Sequence, residues 1–261
     1  MIERFVTAAA FVAAIVLTLA APVRADDGPY PRPVPPDIVK QIQTPAKVSV
    51  DGSTLHVDGI IIDEAVNEVE RQLRAAGSNP IRSLVIRSGG GEGNAGIRFG
   101  EIVRDWKLAV TVDHRCMSSC ANYVALAARE LYVPDGAALG FHGGVEKTWG
   151  EDGQYLEAQK AMLRSIGIED RFFPSLVEAD KKTLARQQAL FDSVGVSSAI
   201  LADTGRGSGT TLKDLWMFTQ EALERCYNVK NIKRYPVLSG DTVPNGKSFL
   251  KIIRDCPRKA Q

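Results

Sequence analysis

The stretch CMSSCANYVALAARELYVPDGAALGFHGG, residues 116–144, decides how this chain is expected to fold. Two serines, Ser118 and Ser119, stand between two cysteines at its start. A small-residue run typical of a helix follows, then two short apolar strands, and the stretch ends on His142 before two glycines. A serine at a helix start, with a histidine at a later strand end, is the order expected of a nucleophile and its base. A serine that merely caps the helix explains the first half of this pattern as well.

The segments before this stretch alternate between strand and helix patterns. The apolar run 83–87 enters the glycine turn Ser88–Gly91, helical spacing resumes over 95–106, and a further apolar run covers 108–112. An Asp51-Gly52 turn between alternating residues predicts a hairpin near the start. This alternation favours an α/β fold with a mainly parallel sheet, right-handed crossovers and flanking helices. Further helices are predicted over 64–76, 119–128, 155–166 and 181–194, and from Asp214 onward.

The chain divides by composition into a leader, a tether and a domain. Residues 1–25 combine Arg4, an apolar run and a small-residue end, which predicts a secretory signal peptide cleaved after Ala25. An uncleaved membrane anchor is the alternative, because the apolar run approaches spanning length. The proline-rich residues 26–45 are expected to form an extended tether. The predicted domain covers 46–228 with a helical insertion at 143–213, and a short polar tail, expected to be stapled by a Cys226–Cys256 disulfide, covers 229–261.

Composition says little about function but disfavours one class of partner. The chain has 261 residues, of which 44% are hydrophobic and 24% charged, with a net charge of +1. These are ordinary values for a globular protein. No basic stripe with interleaved aromatic residues is present, so nucleic acid is not expected as a partner.

Four cysteines follow the leader, at positions 116, 120, 226 and 256. In an oxidising compartment an even number of cysteines predicts disulfides, and three pairings are open. We favour Cys116–Cys120 and Cys226–Cys256, because each pair closes a local loop. A zinc site is the rival interpretation, although the pairs lack the usual ligand spacing and no histidine stands near the second pair.

Three glycines, Gly89–Gly91, follow the buried strand at 83–87. Such a turn lets backbone N–H groups come close to a ligand, although a plain strand-to-helix turn explains it too. The segment lacks the Gly-Lys-Ser/Thr end of a phosphate loop. It also lacks the spacing of the dinucleotide fingerprint.

Four motifs in order resemble the superfamily of the Clp protease proteolytic subunit and signal peptide peptidase A, which has a crotonase-like fold. Ser88–Gly91 followed by Ala95-Gly96 is similar to the family's SPGG…AG motif, with Gly89 in place of proline. Residues 117–128 align without a gap with the peptidase motif AASGGYYIAMAA, and residues 139–142 resemble the segment that carries the Clp histidine. Residues 214–222 resemble the Clp stretch DRFLSAPEA. The resemblance covers 55–142 and 210–225, and is strongest toward secreted, ClpP-like periplasmic proteins.

Carried over by position, the resemblance implies a catalytic triad. Ser119 is then the nucleophile, His142 the base and Asp214 the residue that orients the histidine. The N–H groups of Gly91 and Cys120 would form the oxyanion hole. The Cys-x-Ser-x-Cys frame centres on Ser118, so Ser118 stays open as an alternative nucleophile.

The resemblance therefore implies a secreted or periplasmic serine hydrolase of ClpP/crotonase-like α/β fold, built from repeated ββα units and most simply a peptidase. Peptides or proteins would be its substrates, and no cofactor or metal is implied. The family assembles as trimers or larger rings, so residues 143–213 would serve assembly or cover the site. Two alternatives remain: a non-catalytic binding or scaffold protein, and an acyl-CoA enzyme. A secretory leader disfavours the latter, because CoA is intracellular.

Overall fold

The computed structural model describes residues 46–144, 171, 173–205, 215–238 and 250–256. The strands are β1 (Lys47–Asp51), β2 (Thr54–Asp58), β3 (Ser83–Ser88), β4 (Ala109–Met117), β5 (Glu130–Tyr132), β6 (Ala138–Gly140), β7 (Leu215–Phe218), β8 (Ile232–Arg234) and β9 (Leu250–Ile253). The helices are α1 (Asp63–Ala75), α2 (Gly93–Asp105), the π-helix α3 (Cys120–Ala125), α4 (Phe173–Val194), α5 (Ala199–Gly205) and α6 (Gln220–Tyr227). The predicted helix over 155–166 lies outside the described residues. No helix among those described is both long enough and apolar enough to cross a membrane.

The chain divides into two compact units. The larger comprises Pro33–Gly144 and Gln187–Gln261, and the smaller comprises Met1–Arg32 and Val145–Arg186. In the smaller unit the structure describes Arg171 and the first part of α4. Both sheets lie in the larger unit.

The main sheet has the order β1-β2-β3-β4-β5-β8, and β6 also pairs with β4. β1 and β2 form the predicted antiparallel hairpin, closed by the pair Asp51 and Thr54. The other pairs in this sheet are parallel. A mixed α/β fold with a mainly parallel sheet and flanking helices is thereby confirmed.

The helices follow the apolar spacing of the sequence. α1 buries one face made of Ala65, Val66, Val69 and Leu73, as the period of 3.6 residues predicts. The predicted helices at 95–106 and 181–194 correspond to α2 and to the second half of α4. β3 alternates between buried and half-buried residues, with Leu84 and Ile86 fully inside the core.

The C-terminal part of the chain differs from the expectation. The prediction of a helix from Asp214 onward is wrong at its start, because Leu215–Phe218 is a strand that pairs in parallel with Leu250–Ile253. The helix α6 begins only after Thr219, whose hydroxyl accepts a hydrogen bond from the Ala222 N–H at 3.2 Å. The segment expected to be a polar tail thus supplies β8 to the main sheet and β9 to a second, two-stranded sheet. Local composition did not show this, since both strands are short and find their partners far along the chain.

Both favoured disulfides are present. Cys226–Cys256 joins α6 to the residues after β9, with a Cα–Cα distance of 5.4 Å. Cys116–Cys120 joins the end of β4 to the start of α3, with a Cα–Cα distance of 5.2 Å. Two disulfides are consistent with an oxidising location outside the cytoplasm.

Candidate active site

The register between β4 and β6 brings the serine turn next to the histidine. The two strands run parallel, and their last pair is Met117 with Gly140. The N–H of Ser118 donates a hydrogen bond to the Gly140 carbonyl at 2.8 Å, which extends the pairing by one step. Ser118 and His142 therefore lie just beyond the carboxyl ends of neighbouring parallel strands, where open α/β sheets hold their sites.

A bulge in β4 sets this register. Ile86 of β3 pairs with Val112, but Ser88, two residues on, pairs with Cys116. Three residues of β4 thus face a single residue of β3, and His114 among them is exposed with a φ of 72°. Such bulges bend a strand and redirect the residues after it. The sequence predicted a strand ending at Val112, whereas the bulge lets β4 continue to Met117.

Ser118 has a backbone conformation that L-residues rarely adopt. Its φ is 56°, in the left-handed region, which costs a non-glycine residue about 1–2 kcal/mol. The Cys116–Cys120 disulfide spans the turn, and the hydrogen bond to Gly140 holds its middle. In this conformation the half-buried Ser118 Oγ lies 2.5 Å from His142 Nε2. That separation is a short hydrogen bond between a hydroxyl and a ring nitrogen.

Ser119 faces the core instead. It is 3% exposed, and its Oγ has no hydrogen-bond partner within the described part of the chain. Its side chain lies against Gly96 of α2, where an added Cβ would stand 2.6 Å from the Ser119 Cβ. The structure therefore brings Ser118, rather than Ser119, to His142. The signal for this in the sequence is the Cys-x-Ser-x-Cys frame, which centres on Ser118.

His142 is suited to accept a proton at neutral pH. Burial of its ring lowers the pKa below the ordinary histidine value, and a hydrogen bond with the Gly143 backbone acts in the opposite direction. The neutral ring can take a proton from a hydroxyl at its Nε2. The His142 carbonyl accepts a hydrogen bond from Asn122 Nδ2 at 3.0 Å. Sequence reasoning did not single out Asn122.

The glycine turn after β3 lies directly against the serine. Gly90 has a φ of 97°, and a Cβ added to it would stand 2.5 Å from the Ser118 Cβ, so only glycine fits. The N–H of Gly90 donates to Ser88 Oγ at 3.0 Å, and its carbonyl accepts from the Ile61 N–H at 2.8 Å. Gly89, by contrast, has open space where its Cβ would be.

Gly91 is the glycine of this turn that pairs with Ile61. In this parallel bridge the Ile61 N–H donates to the Gly90 carbonyl, and the Ile61 carbonyl accepts a hydrogen bond from the Glu92 N–H at 2.9 Å. Backbone groups alternate in direction along an extended chain, so the Gly91 N–H points away from Ile61. The N–H groups of Ser119 and Cys120 lie in the first turn of a helix, where such groups have no intrahelical partner.

Asp214 lies outside the described residues. The residue after it, Leu215, is buried in a small apolar cluster with Met117. One residue further, Trp216 forms an isolated bridge with Phe141, with N–H to carbonyl distances of 2.8 and 2.7 Å. The chain just after Asp214 is thus held beside the residue that precedes His142. No group of three or more His, Cys, Asp or Glu residues in the described ranges could hold a metal ion.

Comparison with solved structures finds a similarity to ClpP1 from Listeria monocytogenes, in the form of a mutant with a single asparagine-to-aspartate change. The two chains are 21% identical, the match covers 60% of this chain and 81% of that chain, and the TM-score is 0.37. No protein-family model and no curated protein sequence matches. Similarity at this level assigns no function, so the geometry around Ser118 decides what chemistry this site can perform.

Proposed function

We propose that this protein is a serine hydrolase in which Ser118 is the nucleophile and His142 the general base. The observation that carries the proposal is the 2.5 Å separation between Ser118 Oγ and His142 Nε2. A hydroxyl is a weak nucleophile until a base removes its proton, and a neutral imidazole at this distance is such a base. The left-handed turn at Ser118 supports the same role, because backbone strain of this kind clusters at functional sites.

The reaction follows from these positions. Ser118 Oγ attacks the substrate carbonyl carbon while its proton passes to His142 Nε2. The carbonyl oxygen becomes an oxyanion, and the N–H groups of Gly91 and Ser119 stabilise it. The intermediate then collapses, His142 returns the proton to the leaving group, and an acyl-enzyme remains on Ser118. Water, deprotonated by His142, attacks the ester and releases the second product.

With Ser118 as the nucleophile, one of the two oxyanion-hole donors is also assigned one residue earlier in the chain. Sequence reasoning paired Ser119 with the N–H of Cys120, the next residue along the chain. With Ser118 as nucleophile, the equivalent donor is the N–H of Ser119, and Gly91 keeps its role. Since Gly90 donates to Ser88, its own N–H is already engaged.

Asp214 is proposed as the third triad member. A carboxylate on His142 Nδ1 would fix the tautomer that presents Nε2 to the serine and would stabilise the imidazolium. The anchoring of Leu215 beside Met117 and of Trp216 beside Phe141 supports this assignment.

Peptides or proteins are the proposed substrates, on the strength of the sequence motifs that resemble Clp and signal peptide peptidases. The same motifs support a ClpP-like relationship and assembly into homo-oligomers. The leader at 1–25 and the two disulfides support export to the periplasm or the exterior. The tether at 26–45 and a domain from 46, with its helical insertion at 143–213, complete the proposed organisation.

A fluorophosphonate probe tests the proposal, because it phosphonylates only serines activated by a base. The purified wild type, Ser118→Ala and Ser119→Ala are treated with the probe, and the labelled peptide is identified by mass spectrometry. We expect the wild type and Ser119→Ala to carry the label on Ser118, and Ser118→Ala to carry none. An unlabelled wild type would favour the non-catalytic alternative. Labelling that survives in Ser118→Ala but not in Ser119→Ala would restore Ser119 as the nucleophile.

A further inference from the structure

Asn122 is a polar residue in a helix that is otherwise apolar and buried. All six residues of α3 are buried, and Asn122 is 2% exposed. Burying an amide without full hydrogen bonding costs about 1–3 kcal/mol. A leucine of similar size would fill the same space without that cost, so packing alone does not account for an asparagine here.

The hydrogen bonds of Asn122 connect the two residues of the proposed reaction. Its backbone N–H donates to the Ser118 carbonyl at 2.8 Å. Its side-chain Nδ2 donates to the His142 carbonyl at 3.0 Å. One residue thus holds the backbones of both the nucleophile and the base.

Within the described part of the chain, the side chain forms no second hydrogen bond that would explain its burial. Asn122 Oδ1 is also buried and has no partner within the described ranges. Exchanging the amide oxygen and nitrogen would set an oxygen against the His142 carbonyl, so the donor assignment is the one that electrostatics allows. The contact with His142 is therefore the interaction that this side chain contributes.

The segment around His142 is fixed on its other sides by different contacts. Phe141 is bonded to Trp216 through the backbone on the preceding side. On the following side, Gly144 packs against Gln187, which accepts a hydrogen bond from the Tyr123 hydroxyl at 2.7 Å. Between these anchors, Asn122 holds the carbonyl of His142 itself. In addition, α3 is a π-helix, a form found frequently at functional sites.

From these contacts we infer that Asn122 is a positioning residue, which holds the His142 backbone so that Nε2 meets the Ser118 hydroxyl. The inference rests on the proposed hydrolase function. Asn122 does not touch the reacting atoms. Its loss should slow the reaction of Ser118 without weakening the binding of the reagent, because a displacement near 1 Å can cost about 100-fold in rate.

The test measures the maximal rate of labelling, kinact, and the half-saturating concentration, KI, for the fluorophosphonate probe. Asn122→Ala removes the side chain, and Asn122→Leu keeps its volume without the donor, so the two variants disturb the packing of the core in different ways. The matched control is Asn231→Ala. Asn231 also donates to a backbone carbonyl, that of Ala128 at 2.7 Å, and its Oδ1 is likewise buried without a partner in the described residues. Thermal unfolding of every variant reports stability separately.

We expect kinact to fall about 10- to 100-fold in the folded Asn122 variants, with KI within about twofold of the wild type. The Asn231→Ala control should lose stability but keep its kinact. An unchanged kinact in both Asn122 variants, with melting temperatures lowered as in the control, would overturn the positioning role and leave the hydrolase proposal standing. A wild type that does not react would overturn the hydrolase proposal, and the positioning role with it.

Discussion

Two neighbouring glycines in the turn after β3 should respond differently to alanine. A Cβ on Gly90 would stand 2.5 Å from the Ser118 Cβ and 2.7 Å from the Met117 carbonyl oxygen. A Cβ on Gly89 would meet nothing within 4 Å, and the φ of Gly89 is not in the left-handed region. Gly90→Ala should therefore displace the serine turn, whereas Gly89→Ala should leave it in place.

The loss of folding stability expected for Gly90→Ala is the sum of two separate costs. The φ of 97° at Gly90 strains any L-residue by about 1–2 kcal/mol. Forcing a methyl group into a filled space adds about 1–3 kcal/mol. The sum is about 2–5 kcal/mol, or roughly 5–15 °C in melting temperature for a domain of this size. Gly89→Ala should lie within about 1 kcal/mol of the wild type.

A third variant separates the two costs. Gly52, in the hairpin turn, has a φ of 56° and open space around its missing Cβ. Gly52→Ala should thus show the strain alone, about 1 kcal/mol, with normal labelling of Ser118. Gly90→Ala should lose more stability than Gly52→Ala and, in addition, about 10- to 100-fold in kinact.

Thermal unfolding and probe labelling of the three variants provide the assay. If Gly90→Ala had the same melting temperature as Gly52→Ala and reacted with the probe at the wild-type rate, the close approach of the glycine turn to Ser118 would be refuted. A loss of labelling in Gly89→Ala equal to that in Gly90→Ala would also contradict the reasoning, because the structure leaves room for that methyl group.

Two further predictions concern the neighbouring serine and the histidine. Ser119→Ala removes a buried hydroxyl that has no partner in the described residues, so it should stabilise the protein by about 1 kcal/mol. Thermal unfolding would detect this as a rise in melting temperature of about 2–4 °C. A fall in melting temperature would indicate that this hydroxyl is bonded. Because burial lowers the pKa of His142, the labelling rate should fall on acidification with a midpoint below the ordinary value of about 6.5. Below about pH 6.5 the unfolded chain takes up a proton that the folded chain still excludes, so stability should also fall as the pH drops toward the lowered pKa. A midpoint of the labelling rate at or above about pH 6.5 would contradict the lowered pKa of His142.

Local pattern predicted much of the fold. The period of 3.6 in α1, the apolar run that forms β3 and the Asp-Gly turn each report a preference that neighbouring residues create, and the structure has all three elements. The parallel character of the sheet follows from the alternation of strands with helices. The strand at Leu215–Phe218 was missed, because its partner lies at Leu250–Ile253 and a four-residue apolar run does not distinguish strand from helix.

The sequence by itself determined which residue types the candidate site contains: two adjacent serines in a cysteine frame, a histidine after a strand and a glycine turn before them. It could not determine which serine meets the histidine, because adjacent residues in a turn point in different directions and a gapless motif alignment does not report backbone torsions. The tertiary structure decided this through the bulge in β4, the pairing of Met117 with Gly140 and the left-handed φ of Ser118. Together these three features direct the Ser118 side chain toward His142 and the Ser119 side chain into the core. The role of Asn122 likewise became visible only when folding set its amide against the carbonyl of a residue twenty positions away.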